Sequence, residues 1–338
     1  MRVLVAGSSG TVGMAVTCAL LQRGVHVVAL SRYPPKHMQA KLSGQRYANT
    51  TQNTVTRADK LGRLHCIQHH ISQASLTTQD IGTVDALVSC LSSRSGAPDD
   101  ARRVDFEANV RLLDYAASQP QIGRFLLVSA ICVQKPKLAF QHEKLRFEAL
   151  LRASNIPHTI VRPTAYFKSL SGQVERLRAG KPFLMFGDGE LTACKPIADE
   201  DLAQYIADGL TSAETLGRVL PIGGPGPALT PKQQGRLLAS ALNVPFKSRS
   251  INPDWFIKVA GLLDRLAPLS KTMHRRAEFL RIAHYYATES MLCWDDERGS
   301  YQTDVTPEFG ERTLAQHYAQ LAASAESSGL DSSHKLFS

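Results

Sequence analysis

The stretch RVLVAGSSGTVG, residues 2–13, decides the fold of this chain. Residues 3–6 are apolar and read as a buried strand, and apolar residues at helical spacing follow from Met14 onward. Between them, Gly7, Gly10 and Gly13 stand at the spacing GxxGxxG. Gly7 permits a tight turn, Gly10 lets the backbone approach a pyrophosphate, and Gly13 lets the helix pack closely on the strand. Because the helix then presents the positive end of its dipole to the phosphates, the stretch predicts a dinucleotide-binding βαβ unit.

Strand and helix patterns alternate through the first half of the chain. Val25–Leu30 resumes a strand after Gly24 closes the first helix, and each later strand is separated from the next by a helical segment or a long crossover. The later strand candidates are Leu64–His69, Ala86–Cys90, Phe125–Ser129 and His158–Val161. This alternation predicts an α/β fold, a Rossmann-type doubly wound parallel sheet with a smaller, irregular substrate lobe.

Composition and charge narrow the class of protein. The chain has 338 residues, 43% of them hydrophobic, and a formal net charge of +9. Its basic residues form no block of about five to eight and do not alternate with aromatic residues, which argues against a nucleic-acid partner. The net positive charge of the chain would favour binding of an anionic cofactor and an anionic substrate. The six cysteines include no CxxC motif or Cys/His cluster, so we expect a reducing compartment and no metal site.

The end of the second strand indicates which dinucleotide binds. NAD-specific sites place an acidic residue there, whereas this strand ends Leu30-Ser31-Arg32. Arg32 can hold a 2′-phosphate, with Lys36 assisting, so we predict NADPH. The predicted cofactor residues are Gly7, Ser9, Gly10, Thr11, Val12, Gly13, Ser31, Arg32, Lys36, Lys144, Pro163 and Thr164.

The domain division follows from these patterns. Residues 1–165 are predicted to form the NADP-binding Rossmann domain, interrupted by a polar excursion at about residues 33–63. Residues 166–321, irregular and rich in Gly and Pro at first, then helical from about Pro231 to Tyr286, are predicted to form the substrate lobe, from which segments can return to the sheet. Residues 322–338 are Ser-rich and are predicted to be a disordered tail.

Three segments, FLLVSA at 125–130, FQHEK at 140–144 and IVRPT at 160–164, resemble the short-chain dehydrogenase/reductases, and the resemblance covers most of the first half of the chain. In that family a helix carries Tyr-x-x-x-Lys, in which the tyrosine exchanges a proton with a carbonyl or an alcohol. Here Lys144 is present, but Phe140 stands at the tyrosine position and cannot donate a proton. Two interpretations remain open: a dinucleotide-binding protein without catalysis, or a reductase of a conjugated C=C bond. In the second case a large π system would delocalise the carbanion, and the proton would come from another donor.

Several longer runs resemble one family, the NADPH-dependent divinyl chlorophyllide a 8-vinyl reductases. They include LVSAICVQKP at 127–136, IVRPTAYFKSLSGQVE at 160–175 and YYATESM at 285–291. The resemblance covers residues 1 to about 321. It implies NADPH-dependent reduction of the C8 vinyl group of a divinyl chlorophyllide or protochlorophyllide to ethyl, in chlorophyll or bacteriochlorophyll synthesis. The alternatives are an inactive NADP-binding sensor or assembly factor, and a reductase of another conjugated C=C bond.

The resemblance also guides the assignment of residues. We expect Lys144 to hold the nicotinamide ribose, and we regard Ser129 and Tyr166 as further catalytic candidates. The proton donor stays open among Tyr166, Tyr285, His142, Cys132 and water. The predicted substrate-binding residues are Phe167, Lys168, Met185 and Phe186, with Lys135 and Lys195 as alternative cations for the propionate.

The expected partner is a magnesium porphyrin or chlorin. The sequence also indicates where in the cell the chain is located. The apolar start runs directly into the glycine turn and does not read as a signal peptide, so we expect a bacterial cytoplasmic protein, or a plastid protein in its mature form. The segment WFIKVAGLLDRLAPL, residues 255–269, is too short and too charged to span a membrane. It reads as a core helix, with peripheral contact to photosynthetic membranes as the alternative.

Overall fold

The structure is a computed structural model and describes residues 1–36, 62–266 and 271–324. The strands are β1 Arg2–Ala6, β2 His26–Ser31, β3 Leu64–Gln68, β4 Ala86–Ser89, β5 Arg124–Val128, β6 His158–Pro163, β7 Phe183–Phe186, β8 Val219–Ile222, β9 Ser248–Ile251, β10 Cys293–Asp295 and β11 Ser300–Gln302. The helices are α1 Thr11–Gln22, α2 Thr78–Ile81, α3 Pro98–Ala101, α4 Ala108–Ala117, α5 Ala139–Ala153, α6 Phe167–Leu170, α7 Val174–Arg178, α8 Asp199–Gly209, α9 Pro231–Ala241, α10 Asp254–Leu266, α11 Lys271–Thr288 and α12 Leu314–Ala323.

Seven parallel strands form the central sheet, in the order β3-β2-β1-β4-β5-β6-β8. The inner strands are continuous apolar runs because helices cover both faces of the sheet. Helices α1 and α8 pack side by side on one face, and α4 and α5 bury Leu112 and Phe147 on the other. The order reverses between β1 and β4, so the carboxyl ends of these strands open a crevice at the place where such folds bind dinucleotides. The predicted Rossmann-type sheet is confirmed.

Residues 199–222, which the sequence division placed in the lobe, return to this sheet. They supply α8 and the edge strand β8, which pairs with β6 from Ile160↔Val219 to Pro163↔Ile222. The first domain of the molecule is therefore built from two separate parts of the chain.

The lobe packs around its own apolar core. Strands β7 and β9 form a two-stranded parallel sheet, and α9 and α12 pack beside it, burying Leu238 and Tyr318. The predicted helical region from Pro231 to Tyr286 consists of α9, strand β9, and the helices α10 and α11. These last two helices pack against each other, and we call them the helical hairpin.

Some predictions fall wholly or partly outside the described residues. The polar excursion is described only at its two ends, because residues 37–61 lie outside, and of the predicted tail only residues 322–324 are described. The run at 255–269 forms most of α10 and then leaves the described part after Leu266. Among the helices that the structure describes, none combines the length and the apolar character needed to cross a membrane.

Candidate functional site

The loop between β1 and α1 has a backbone that only glycine fits. Gly7 has a φ of +76°, and a Cβ placed on it would lie 2.8 Å from the Cys90 carbonyl oxygen. A Cβ on Gly13 would lie 2.2 Å from the Gly7 carbonyl oxygen, so the helix could not approach the turn. Gly10 caps α1, whose hydrogen bonding starts with Met14 N donating to Gly10 O at 2.9 Å. The N–H groups at the start of α1, at Thr11, Val12 and Gly13, are those that a helix end offers to an anion, and the cradle fits a dinucleotide pyrophosphate.

Lys168, predicted to bind substrate, lies at this cradle. Its Nζ is 3.3 Å from Thr11 Oγ1, although the two residues are 157 positions apart. A cation beside the positive end of a helix dipole is unfavourable unless an anion lies between or next to them. The position of Lys168 therefore favours a phosphate contact.

Two arginines surround Tyr33 at the end of β2. Arg94 Nη2 donates to Tyr33 Oη at 2.9 Å, and the guanidinium of Arg32 lies 5.3 Å from the centre of the Tyr33 ring. Burial raises the pKa of Tyr33, but the charges of Arg32 and Arg94 outweigh it, and the pKa falls below its usual range. Arg32 and Lys36 are exposed here, as a 2′-phosphate site requires. Sequence reasoning missed Arg94, which comes from the loop after β4.

Ser31 and Thr164 use their hydroxyl groups to hold the backbone. Ser31 Oγ accepts a hydrogen bond from Tyr33 N at 3.0 Å. Thr164 Oγ1 donates to the carbonyl of Lys195, and its N–H donates to Ile222 O at 2.9 Å. Pro163 ends β6 directly before it. These residues shape the edge of the crevice.

Lys144 forms a buried ion pair that the sequence did not predict. Its Nζ lies 2.9 Å from Asp105 Oδ1, and both side chains are almost completely buried. Asp105 lies on a π-helical turn, Arg102–Glu107, and its carboxylate accepts from Ser93 N at 3.3 Å. Asn109 Nδ2 donates to the Asp105 carbonyl at 2.9 Å. The pair fixes the ammonium group of Lys144, and π-helical turns are frequent at functional sites.

Ser129 points its hydroxyl away from the crevice. Its Oγ donates to Glu148 Oε1 at 2.6 Å, and Glu148 also pairs with Arg162. All three belong to a network between β5, β6 and α5. This placement favours a structural role for Ser129.

Phe140, at the tyrosine position, lies in an apolar cluster. The cluster joins α5 to the loop after β5 and to α11, and it includes Ile131, Leu138, Tyr285 and Met291. Gly96 lies beside it, since a Cβ there would be 2.7 Å from Ile282 Cδ1 and 3.3 Å from Phe140 Cδ1. The place that a catalytic tyrosine would occupy is therefore dry and apolar.

The hydroxyl groups nearest to this cluster differ in their partners. Tyr285 Oη donates to Cys132 O at 2.8 Å and lies 3.1 Å from Lys135 O, so it holds the loop after β5. Tyr286 points its hydroxyl at Cys132 Sγ, 4.0 Å away, although 45% of the residue is exposed. Burial raises the pKa of Tyr166, and the charges of Asp199, Cys90 and Cys132 raise it further. Tyr166 therefore stays protonated at neutral pH.

The other candidate proton donors are less favourably placed. His142 is exposed and lies on the opposite face of α5 from Phe140, two residues away. Burial raises the pKa of the Cys132 thiol. Of these groups, Tyr166 and Tyr286 both lie close to Cys132.

The predicted substrate residues separate into different environments. Phe167 is 3% exposed and packs in the core of the lobe, which favours a structural role. Met185 and Phe186 are half-buried on β7, where the Phe186 ring lies 5.5 Å from that of Phe256 on α10. Lys135 and Lys195 already have acidic partners, Glu289 and Glu308 respectively.

The described residues contain no group of three or more His, Cys, Asp or Glu side chains that could hold a metal ion. The six cysteines are all free thiols.

Comparisons with known proteins agree with this geometry. A family model described as NAD(P)H-binding matches residues 7–213. The chain is 40% identical over 328 residues to the chloroplastic divinyl chlorophyllide a 8-vinyl-reductase of Arabidopsis thaliana, covering 95% of this chain and 76% of the relative. It is 41% identical over 327 residues to the protein of the same name from Zea mays, covering 94% and 79%.

Among solved structures, leucoanthocyanidin reductase of Vitis vinifera in its binary complex with NADPH superposes with a TM-score of 0.65. The sequences are 17% identical, and the match covers 96% of this chain and 100% of that one. This likeness concerns the fold.

Proposed function

The chain belongs to the family of divinyl chlorophyllide a 8-vinyl reductases, and from that membership we propose its reaction in detail. It reduces the C8 vinyl group of a divinyl chlorophyllide or protochlorophyllide to ethyl, with NADPH, in chlorophyll or bacteriochlorophyll biosynthesis. The observation that carries this proposal is the family relationship itself, which extends through the substrate lobe and not only through the dinucleotide domain. The absence of the tyrosine at position 140 is consistent with a reacting group, a vinyl C=C bond, that is not a carbonyl.

Each part of the cofactor has residues that would hold it. The pyrophosphate would lie on the glycine turn and the start of α1, with Lys168 beside it. Arg32 and Arg94 would hold the 2′-phosphate, and Lys144, fixed by Asp105, would bind the nicotinamide ribose. When bound, NADPH supplies the hydride for the reduction.

The residues around Phe140 are suited to the reduction of a C=C bond. Position 140 itself offers no proton, because Phe140 lies in an apolar cluster, and Lys144 is held in a buried ion pair with Asp105. Reduction of a vinyl group also consumes one proton. We assign its delivery to the hydroxyl of Tyr166, whose raised pKa keeps it protonated, with Tyr286, whose hydroxyl points at Cys132, as the alternative donor.

The substrate would enter between the lobe and the helical hairpin. The half-buried side chains of Met185 and Phe186 on β7 would supply part of the apolar surface that a flat macrocycle needs, beside the buried Phe256 of α10, whose ring packs on that of Phe186. This places Phe167 and Lys168 outside the substrate wall, the first in the lobe core and the second at the cofactor.

An anaerobic incubation of the purified chain with NADPH and divinyl chlorophyllide a tests the reaction. We expect the Soret band to shift and chromatography to resolve a monovinyl product that forms only when NADPH is present. A matched Gly13→Val variant should form none, because its side chain would collide with the Gly7 carbonyl. If NADPH binds and the pigment stays divinyl, the sensor or assembly-factor interpretation replaces this one.

The location of the chain is a separate part of the proposal. The named relatives are chloroplastic proteins. We place this chain at the surface of photosynthetic membranes, either in the bacterial cytoplasm or in a plastid, because its pigment substrate partitions into lipid and its helical hairpin exposes apolar side chains.

A further inference from the structure

Exposed apolar side chains are concentrated on the helical hairpin. Of the ten large apolar residues exposed in the described part of the chain, five lie on α10 or α11. They are Trp255, Ile257, Leu262, Phe279 and Tyr286. Single exposed apolar residues are ordinary on a protein surface, but a concentration of them on one pair of helices suggests an interaction site.

Helix α10 is apolar on two sides. Phe256 and Ala260 face the lobe and are buried. Trp255 and Leu262, 61% and 58% exposed, lie on another face together with half-buried Val259, since the spacings of four and three residues align their side chains. We call Trp255, Val259 and Leu262 the outer strip. The lobe leaves this strip uncovered.

Basic residues outnumber acidic ones beside the outer strip, where Asp254 is the exposed acidic residue next to Trp255. Lys258 and Arg265 are exposed on α10, within one helical turn of Trp255 and Leu262 respectively, and Arg275 and Arg276 are exposed on α11. Two of the acidic residues of the hairpin, Asp264 and Glu278, are paired with Arg281. An amphipathic helix with Trp and Leu on one face and basic residues beside them is suited to the interface of an anionic bilayer.

The same hairpin also closes the candidate site. Ile282 of α11 lies against Gly96 beside Phe140, and Tyr285 holds the loop after β5 through the Cys132 carbonyl. A surface that docked on the outer strip would therefore lie next to the wall of the substrate region.

We propose that the helical hairpin docks on an anionic lipid bilayer, with the outer strip inserted among the lipids and the basic residues on the headgroup phosphates. Docking brings the substrate region to the lipid in which the pigment is dissolved, and this last role rests on the proposed function. A second copy of the chain fits the surface less well, because a two-fold contact would bring the basic residues of one hairpin against those of the other.

Vesicle binding tests the proposal. We would compare vesicles of phosphatidylcholine with vesicles containing about 30% phosphatidylglycerol, by sedimentation and by tryptophan emission. Trp255 is one of two tryptophans, and the other, Trp294, lies with its ring 3.9 Å from the Lys135 ammonium. We expect binding to the anionic vesicles with a blue shift of Trp255. The variant Trp255→Glu/Leu262→Glu should bind at least about tenfold more weakly.

The matched control is Leu191→Glu/Val305→Glu, which changes two residues that are 52% and 63% exposed elsewhere on the surface. It should bind vesicles like the parent chain, and both variants should retain NADPH binding and their melting temperature. Equal vesicle binding by the hairpin variant would overturn the proposal. So would a dimer in ultracentrifugation that the hairpin variant dissociates while no form binds vesicles, since a second copy would then cover the strip.

Pigment reduction separates this proposal from the proposed function. With pigment dissolved in detergent, the hairpin variant should reduce it at the parental rate, and with pigment supplied in vesicles it should be slower by about the same factor as its binding is weaker. If no form of the chain reduces the pigment but the parent still binds vesicles through the outer strip, the proposed function fails and the docking surface stands.

Discussion

At the residue scale, we propose that Arg32 decides which dinucleotide the crevice accepts. We expect Arg32→Asp to weaken NADPH binding by about 10- to 100-fold and to leave NADH binding unchanged or improved, because a carboxylate repels the 2′-phosphate and accepts hydrogen bonds from a ribose. Fluorescence titration measures both constants. Arg298→Asp, at an exposed arginine on the turn between β10 and β11, is the control. An unchanged preference for NADPH would remove Arg32 from the site.

We propose that the buried pair Lys144–Asp105 has both a structural and a functional role, and variants can separate the two. Asp105→Asn or Lys144→Met leaves one buried charge without its partner, which costs about 3–5 kcal/mol of stability. The double variant Lys144→Met/Asp105→Leu should recover much of that stability in a chemical unfolding experiment, yet lose NADPH-dependent turnover. A double variant that turned over at the parental rate would show that the pair only stabilises the fold.

Tyr166 is the third residue to test. If its hydroxyl delivers the proton, Tyr166→Phe should lower kcat by about 10²- to 10⁴-fold while NADPH binding stays unchanged. Because the pKa of Tyr166 is raised, the parental rate should not fall through its deprotonation at any pH between neutral and about 10. Tyr286→Phe is the matched comparison near the same cysteine. A larger loss in Tyr286→Phe, with little change in Tyr166→Phe, would transfer the role to Tyr286.

These residues also illustrate what a sequence can reveal of a site. The glycine turn was predictable because its conformational demands are local and fall within seven residues. The contacts of Asp105 with Lys144, of Arg94 with Tyr33 and of Lys168 with Thr11 were not predictable. Each of them joins positions far apart in the chain, such as the 157 residues between Lys168 and Thr11. Nothing in the run around Asp105 signals the π-helical turn that aims its carboxylate at Lys144.

At the scale of elements, the first and last residues of the strands of the sheet, other than β8, were predicted to within about two residues. A parallel strand covered on both faces is a continuous apolar run, which is easy to recognise. Strand β8 escaped recognition because Pro221 interrupts its four residues, and proline in a strand belongs at a sheet edge, where β8 lies. The region from Pro231 to Tyr286 read as helical throughout because β9, with the sequence SRSI, has no apolar run.

Glu289, directly after α11, links this helix through ion pairs to the loop after β5 and through a hydrogen bond to β11. It pairs with Lys135 and Lys137 and accepts a hydrogen bond from Tyr301 Oη at 2.6 Å. Burial opposes its charge, but the hydrogen bonds from Lys137, Tyr301 and Lys135 outweigh this and lower its pKa to about 2. A carboxyl group whose pKa is depressed in the folded state stabilises the fold above its unfolded pKa and loses that effect as the pH falls.

We therefore expect Glu289→Gln to lower the melting temperature by about 2–6 °C at pH 7. The difference from the parent should narrow as the pH falls from about 5 towards 2, where the parental carboxylate becomes protonated as well. Calorimetry across this range measures the effect. Glu297→Gln, an exposed glutamate before β11, is the control and should change little. A difference that stays constant with pH would contradict the role of the Glu289 charge.

At the scale of the whole molecule, the sheet and the helical hairpin meet at the candidate site. The carboxyl ends of β1, β4, β5 and β6 form the crevice, and the helical hairpin packs on the apolar cluster around Phe140. At the positions of the Tyr-x-x-x-Lys motif the chain carries the apolar Phe140 and retains Lys144, which we propose binds the ribose. This combination suits reduction of a C=C bond conjugated to a large π system.

Transfer of deuterium from the cofactor to the pigment tests this account most directly. The purified chain would be incubated anaerobically with divinyl chlorophyllide a and NADPH deuterated at C4 of the nicotinamide, on the transferred face, and the pigment analysed by mass spectrometry and NMR. The account predicts a monovinyl product with one cofactor-derived deuterium in its C8 ethyl group, the second new hydrogen coming from a proton. A pigment that stays divinyl, or a monovinyl product without that deuterium, would contradict it.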